Sequence, residues 1–118
     1  MPAKLSTHVL DAAHGSPASG MKIELWSIEG EDRTLVTTAK TNGDGRTDVP
    51  LLAADEMKVG QYEIVFFVGD YFQAKATPTP KIRFLDKAPV RLGIADAGAS
   101  YHVPLLCTPW SYSTYRGS

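Results

Sequence analysis

The chain has 118 residues, 43% of them apolar and 21% charged, and a chain of this size buries roughly two-thirds of the surface it exposes when unfolded, enough for one core without staples. A formal net charge of -1 with no run of like charge leaves no electrostatic footprint for nucleic acid or an anionic membrane. The single Cys107 allows no internal disulfide, the opening residues lack the apolar run of a signal peptide, and the longest apolar run, Ile64 to Val68, is far too short for a bilayer. The expectation is one domain over residues 1–118, in a reducing, cytoplasmic compartment.

Leu5 to Ala12 alternates, with Leu5, Thr7 and Val9 on one face and Ser6, His8 and Leu10 on the other, which predicts a strand. The breaker cluster His14 to Gly20 ends it. Met21 to Ile28 then turns Met21, Ile23 and Leu25 inward against Lys22 and Glu24. Glu29 to Arg33 reads as a polar loop, Thr34 to Thr41 as a strand rich in Thr and Val, and Asn42 to Gly45 as a turn. Arg46 to Pro50 supplies only a very short strand, because Pro50 has no N–H for a ladder.

Leu51 to Lys58 reads as a loop with at most one helical turn, closed by Gly60. Gln61 to Gly69 is the strongest strand: Tyr62, Ile64, Phe66 and Val68 share one face, Val65 and Phe67 the other, and burial on nearly both sides is expected. Asp70 is placed to cap a short helix over Tyr71 to Ala76, stopped by Pro78. Lys81 to Leu85 reads as extended and Pro89 to Ala95 alternates before the turn at Asp96 to Gly98. Tyr101 to Thr108 and Tyr112 to Arg116 are the last two strands.

About seven or eight short strands, one short helix and no βαβ alternation predict an all-β, antiparallel β-sandwich. Its outward surface is unusual. With Tyr101, Val103 and Leu105 facing in, His102, Pro104, Leu106 and Thr108 face out, and leucines beside histidines on an outer face mark a surface that associates with other copies around a site. Taken singly, these groups have ordinary readings: His8 as an incidental strand histidine, His14 as a turn residue, Arg46 as a solvated residue beside a hairpin turn. Cys107 reads as a small buried residue rather than a nucleophile, and Tyr62, Phe66 and Trp26 as packing. His8 and His102 without a carboxylate or thiolate ligand make an incomplete metal set. The terminal Tyr112 to Ser118, directly after a strand-like run, raises the question of what it docks into.

The segments Leu5 to Asp11, Gly15 to Ala18, Thr41 to Asp48, Tyr101 to Leu106 and Tyr115 to Ser118 together resemble the transthyretin-related family from end to end. Within it they resemble the 5-hydroxyisourate hydrolases rather than the hormone carriers, which have neither the terminal Tyr-Arg-Gly-Ser nor the His, Arg, His set. The resemblance implies a transthyretin-like fold and hydrolysis of 5-hydroxyisourate, the product of urate oxidation, to 2-oxo-4-hydroxy-4-carboxy-5-ureidoimidazoline, without metal or organic cofactor. It implies that His8, Arg46, His102 and the tail through Ser118 carry the reaction. It also implies a homotetramer, a dimer of dimers with sites at the dimer–dimer interface.

The bare chemistry suits that assignment. Opening a cyclic amide-like C–N bond needs a deprotonated water, stabilisation of the oxyanion and a proton for the leaving nitrogen. One of His8 and His102 activates water while the other orients it or protonates the leaving nitrogen; Arg46 grips the flat heterocycle and stabilises the oxyanion. Tyr115, Arg116, Gly117 and Ser118 are expected to wall the pocket, with Thr108, on the same face as His102, as an outlying contact. The alternative is a binding module in the manner of transthyretin, holding a small hydrophobic ligand in a channel between dimers. The fold does not choose between the two; the polarity of His8, Arg46 and His102 favours the hydrolase.

Overall fold

The computed structural model describes residues 2–118. Strand β1 (Leu5–Asp11) is followed by the two-residue β2 (Ser16–Pro17), then β3 (Lys22–Glu29), β4 (Asp32–Lys40), a 3-10 turn (Ala54–Glu56), β5 (Gly60–Phe66), helix α1 (Val68–Ala74), β6 (Ala88–Ile94), β7 (Tyr101–Cys107) and β8 (Tyr112–Thr114). They form two sheets of four, in the orders β2-β1-β7-β8 and β4-β3-β5-β6. The core lies between them: Leu5, Val9, Tyr101, Val103 and Leu105 from the first sheet meet Ile23, Leu25, Ile64, Phe66 and Val90 from the second. The expected β-sandwich is thus present, and the alternation of β1 and β7 matches their inward and outward faces.

One pairing departs from the antiparallel expectation. β1 and β7 run parallel, with Leu5 opposite Tyr101 and Asp11 opposite Cys107. Parallel neighbours cannot be joined by a hairpin, and here the whole second sheet intervenes in the chain between them.

The helix also begins earlier than its capping pattern suggests. It starts at Val68, straight out of β5, with Phe67 at the N-cap and no side-chain cap, while Asp70 lies in the first turn and accepts a hydrogen bond from Arg83 at 2.8 Å. Burial decides this: Val68, Tyr71 and Phe72 all pack into the core, and their apolar contribution outweighs a cap of about 1 kcal/mol. Residues 81–85 form no strand, and Ile82 and Phe84 stand exposed. Residues 46–50 likewise form no strand. Instead the chain there runs beside the edge of β1 through two isolated bridges, His8 to Arg46 and Leu5 to Leu52, above the buried Leu51 and Leu52.

A buried carboxylate ties the end of β1 to α1. Asp11 accepts hydrogen bonds from the Tyr71 hydroxyl at 2.7 Å, His14 Nδ1 at 2.7 Å and the amides of Ala13 and His14. A carboxylate taken out of water needs such a set of donors.

Candidate active site

The parallel register sets Ser6 opposite His102 and His8 opposite Pro104. Since side chains alternate along both strands, Ser6, His8 and His102 share the outer face of this sheet. Two residues that lie 96 positions apart meet directly: Ser6 Oγ is 2.9 Å from His102 Nδ1.

Arg46 reaches this face through a turn built by Asn42. Its Oδ1 accepts from the amides of Asp44 at 2.9 Å and Arg46 at 3.2 Å, and its Nδ2 donates to Asp48, the local bonding for which Asn is favoured in turns. Gly45 stands at φ +77°, and a Cβ there would collide with the carbonyl oxygen of Val9. Only glycine fits such a position without strain. The Gly45 carbonyl accepts from the Val9 amide at 2.8 Å, and the bridge between His8 and Arg46 follows. His8 Nε2 donates to the Asp44 carbonyl at 2.9 Å.

The chain end docks on the other histidine. The Gly117 amide donates to the His102 carbonyl at 2.7 Å, which places Ser118 one residue beyond. Three further contacts hold the tail along β7 and the residue before it: Thr114 Oγ1 donates to the Pro104 carbonyl at 2.7 Å, Arg116 donates to the Ser100 carbonyl, and its guanidinium lies 4.1 Å from the Tyr101 ring centre.

Three of the expected pocket residues stand elsewhere. Tyr115 and Arg116 line a separate groove of about 380 Å³ with Leu92, Tyr101 and Val103, at the open edge between the two sheets, and there the Arg116 side chain holds the tail. Thr108 sits at the far end of β7, roughly 20 Å along the strand from His102 at about 3.3 Å per residue. Its hydroxyl accepts from the amides of Trp110 and Ser111 and shapes the turn into β8. Sharing a face with His102 therefore did not bring Thr108 near it.

The electrostatics of the cluster favour neutral imidazole. His102 is held below its ordinary value by burial first, then by the neighbouring Arg46, His8 and Lys4, which favours its uncharged form. A cleft of about 170 Å³ is lined by Lys4, Ser6, Arg46, Thr47 and Asp48 among others, and neither His8 nor His102 lines it. A hollow of about 750 Å³ between β3, β4 and α1 contains none of these groups. Among the described residues no group of three or more His, Cys, Asp and Glu side chains gathers as a metal site. Cys107 is buried, and burial together with the Asp11 charge pushes its thiol up to about 12, far from a reactive thiolate. Ser6, Lys4 and Asn42 are additions to the site. Ser6 was legible as lying two residues before His8 on the same face, and Asn42 as the first residue of the turn before Arg46; Lys4 carried no comparable signal.

Two sheets of this order, with a histidine–arginine cluster on one outer face and the chain end folded against it, define a transthyretin-like β-sandwich with a polar site. The chain belongs to the HIUase/Transthyretin family, whose model matches residues 5–117. It is 52% identical over 115 residues to 5-hydroxyisourate hydrolase 2 of Rhizobium meliloti, covering 98% of this chain and 96% of that one. Among solved structures, the crystal structure of (S)-allantoin synthase superposes with a TM-score of 0.92 at 48% identity, over 98% of this chain but 44% of that one. The 5-hydroxyisourate hydrolase of Klebsiella pneumoniae superposes with a TM-score of 0.79 at 32% identity, over 98% and 94%. Among the described residues no helix is long and apolar enough to cross a membrane.

Proposed function

We propose that this chain is a 5-hydroxyisourate hydrolase, in which residues 1–118 act as one catalytic domain. The observation that carries the reading is the placing of His8, Arg46 and His102 on one sheet face by the parallel register of β1 and β7 and the bridge from His8 to Arg46, with the tail held on His102 through its bridge to Gly117. A neutral imidazole takes a proton from water as the water oxygen bonds to a ring carbonyl carbon; the C–N bond then breaks and the leaving nitrogen takes a proton. Arg46 stabilises the oxygen that gains charge in between, and its planar fork suits a flat, oxygen-rich heterocycle. Ser118 closes the site from the tail side. The mechanism uses no metal and no organic cofactor.

The working form is a homotetramer, a dimer of dimers in which the outer faces of β1 and β7 close over the cluster. Leu10 and Leu106, opposite one another in register and only half-buried in the single chain, supply apolar contact on that face. The compartment is the cytoplasm, to which one unpaired, buried cysteine is suited.

The test is to generate 5-hydroxyisourate from urate with urate oxidase and follow its ultraviolet absorbance with and without the protein, before and after exhaustive chelation. The expected result is faster decay that survives chelation and falls at least about a hundredfold in Arg46→Ala. Decay at the spontaneous rate in the presence of folded protein would remove the proposal, and a chelation loss restored by added metal would overturn its metal-free mechanism.

A further inference from the structure

The two histidines of the cluster use their ring nitrogens differently. A carbonyl oxygen only accepts hydrogen bonds, so His8 Nε2, 2.9 Å from the Asp44 carbonyl, carries hydrogen and leaves its lone pair on Nδ1. His102 has no such carbonyl. Its Nδ1 faces the hydroxyl of Ser6 at 2.9 Å, and among the described residues Ser6 Oγ has no other hydrogen-bond partner. The Ser6 hydroxyl can donate to a bare Nδ1 of His102, and in that arrangement the ring hydrogen sits on Nε2.

The tail defines where that hydrogen points. A Cβ at position 117 would lie 2.7 Å from His102 Cδ2, so the backbone of the tail runs along the ring edge that leads to Nε2. Nε2 therefore lies on the Gly117 side of the ring and away from Ser6.

We propose that Ser6 is a positioning residue that holds His102 as a neutral Nε2–H donor, and that the base of the reaction is consequently His8, working through Nδ1. This rests on the hydrolase reading of the same site and divides labour between its histidines. The proton balance closes on one residue. His8 Nδ1 takes the proton of the attacking water, the imidazolium keeps its Nε2–H on the Asp44 carbonyl, and Nδ1 returns the proton to the leaving nitrogen as the C–N bond breaks. His102 donates a hydrogen bond from Nε2 to the oxygen that gains charge and keeps its proton throughout. A neutral imidazole used in this way needs to be fixed in one tautomer, because the other presents a lone pair to the oxyanion.

The experiment is nitrogen-15 NMR of the imidazole rings in the substrate-free protein, run on wild type, Ser6→Ala and Ser6→Thr, alongside their kinetics. In wild type both His8 and His102 are expected with hydrogen on Nε2 and a bare Nδ1. In Ser6→Ala the His102 pattern alone should broaden into a tautomer mixture, with kcat down about tenfold and KM within about twofold; Ser6→Thr should restore both. A protonated Nδ1 on neutral wild-type His102 overturns the assignment, as does a Ser6→Ala protein with unchanged His102 resonances and unchanged kcat. The spectra are read without substrate, so they test the tautomers even if hydroxyisourate turnover is absent, whereas absent turnover with the expected spectra would count against the hydrolase reading alone.

Discussion

Gly117 and His102 are held edge to edge: the amide of one donates to the carbonyl of the other at 2.7 Å, and there is no room between the glycine and the imidazole for a methyl group. Gly117→Ala is therefore expected to push the tail off His102 and lower kcat by at least about tenfold. Global stability should stay within about 0.5 kcal/mol, since the tail is exposed and lies outside the core. Steady-state kinetics set beside urea unfolding of the same preparation separates the two effects. A variant with full activity would detach the tail from the mechanism.

Arg46 has an electrostatic duty that can be isolated from the shape of its guanidinium. Its positive charge helps hold His102 below its ordinary value, after burial and ahead of His8 and Lys4. Removing the charge relieves a repulsion on protonated His102. Arg46→Gln should raise the His102 titration midpoint, and Arg46→Lys should leave it nearly unchanged, by proton NMR of Cε1–H. Both variants should lose activity, because neither retains the planar fork.

The Asp11 site predicts how stability depends on pH. Burial by itself raises the Asp11 carboxyl, but the bonds from Tyr71 and His14 outweigh it and hold the group below its ordinary 3.8. A carboxyl lowered in the folded state contributes stability that is fully present above its unfolded value and is lost as pH falls through the folded one. Thermal midpoints are expected to be level from neutral pH down to about 4 on this account and then to drop. Tyr71→Phe should cost about 1.5–3 kcal/mol by removing a hydrogen bond to a buried charge, and it should move the acid transition to higher pH. An acid transition unmoved in Tyr71→Phe would separate the phenol from the Asp11 titration.

Gly45 carries the turn that delivers Arg46. At φ +77° and against the Val9 carbonyl, Gly45→Ala combines backbone strain with a collision in the edge of the core. A loss of about 1–3 kcal/mol in chemical denaturation is expected, together with lower kcat because Arg46 is displaced from His8. Unchanged stability would mean that the 42–46 loop adapts.

Much of the layout was legible before folding. Period-two alternation assigned Leu5, Thr7 and Val9 to the core and put His8 and His102 on outward faces, and both assignments hold in the structure. Reading began to fail where a local preference met a larger nonlocal term. Asp70 has the chemistry of a helix cap, yet the apolar side chains of Val68, Tyr71 and Phe72 drew the helix start three residues earlier. The extended pattern at 81–85 formed no strand, and Thr108 shared a face with His102 while standing at the opposite end of its strand.

What the amino-acid order determined by itself is therefore the longer strands, the faces of β1 and β7 and the residues whose joint pattern marks the family, because these depend on alternation and composition within short stretches of chain. Only the tertiary structure decided that β1 runs parallel to β7, that Arg46 lies beside His8, that Gly117 lies against His102 and that Ser6 Oγ faces His102 Nδ1. Partners of that kind are selected by burying two sheet faces together and satisfying their backbone groups, a condition on the whole chain that no single segment carries.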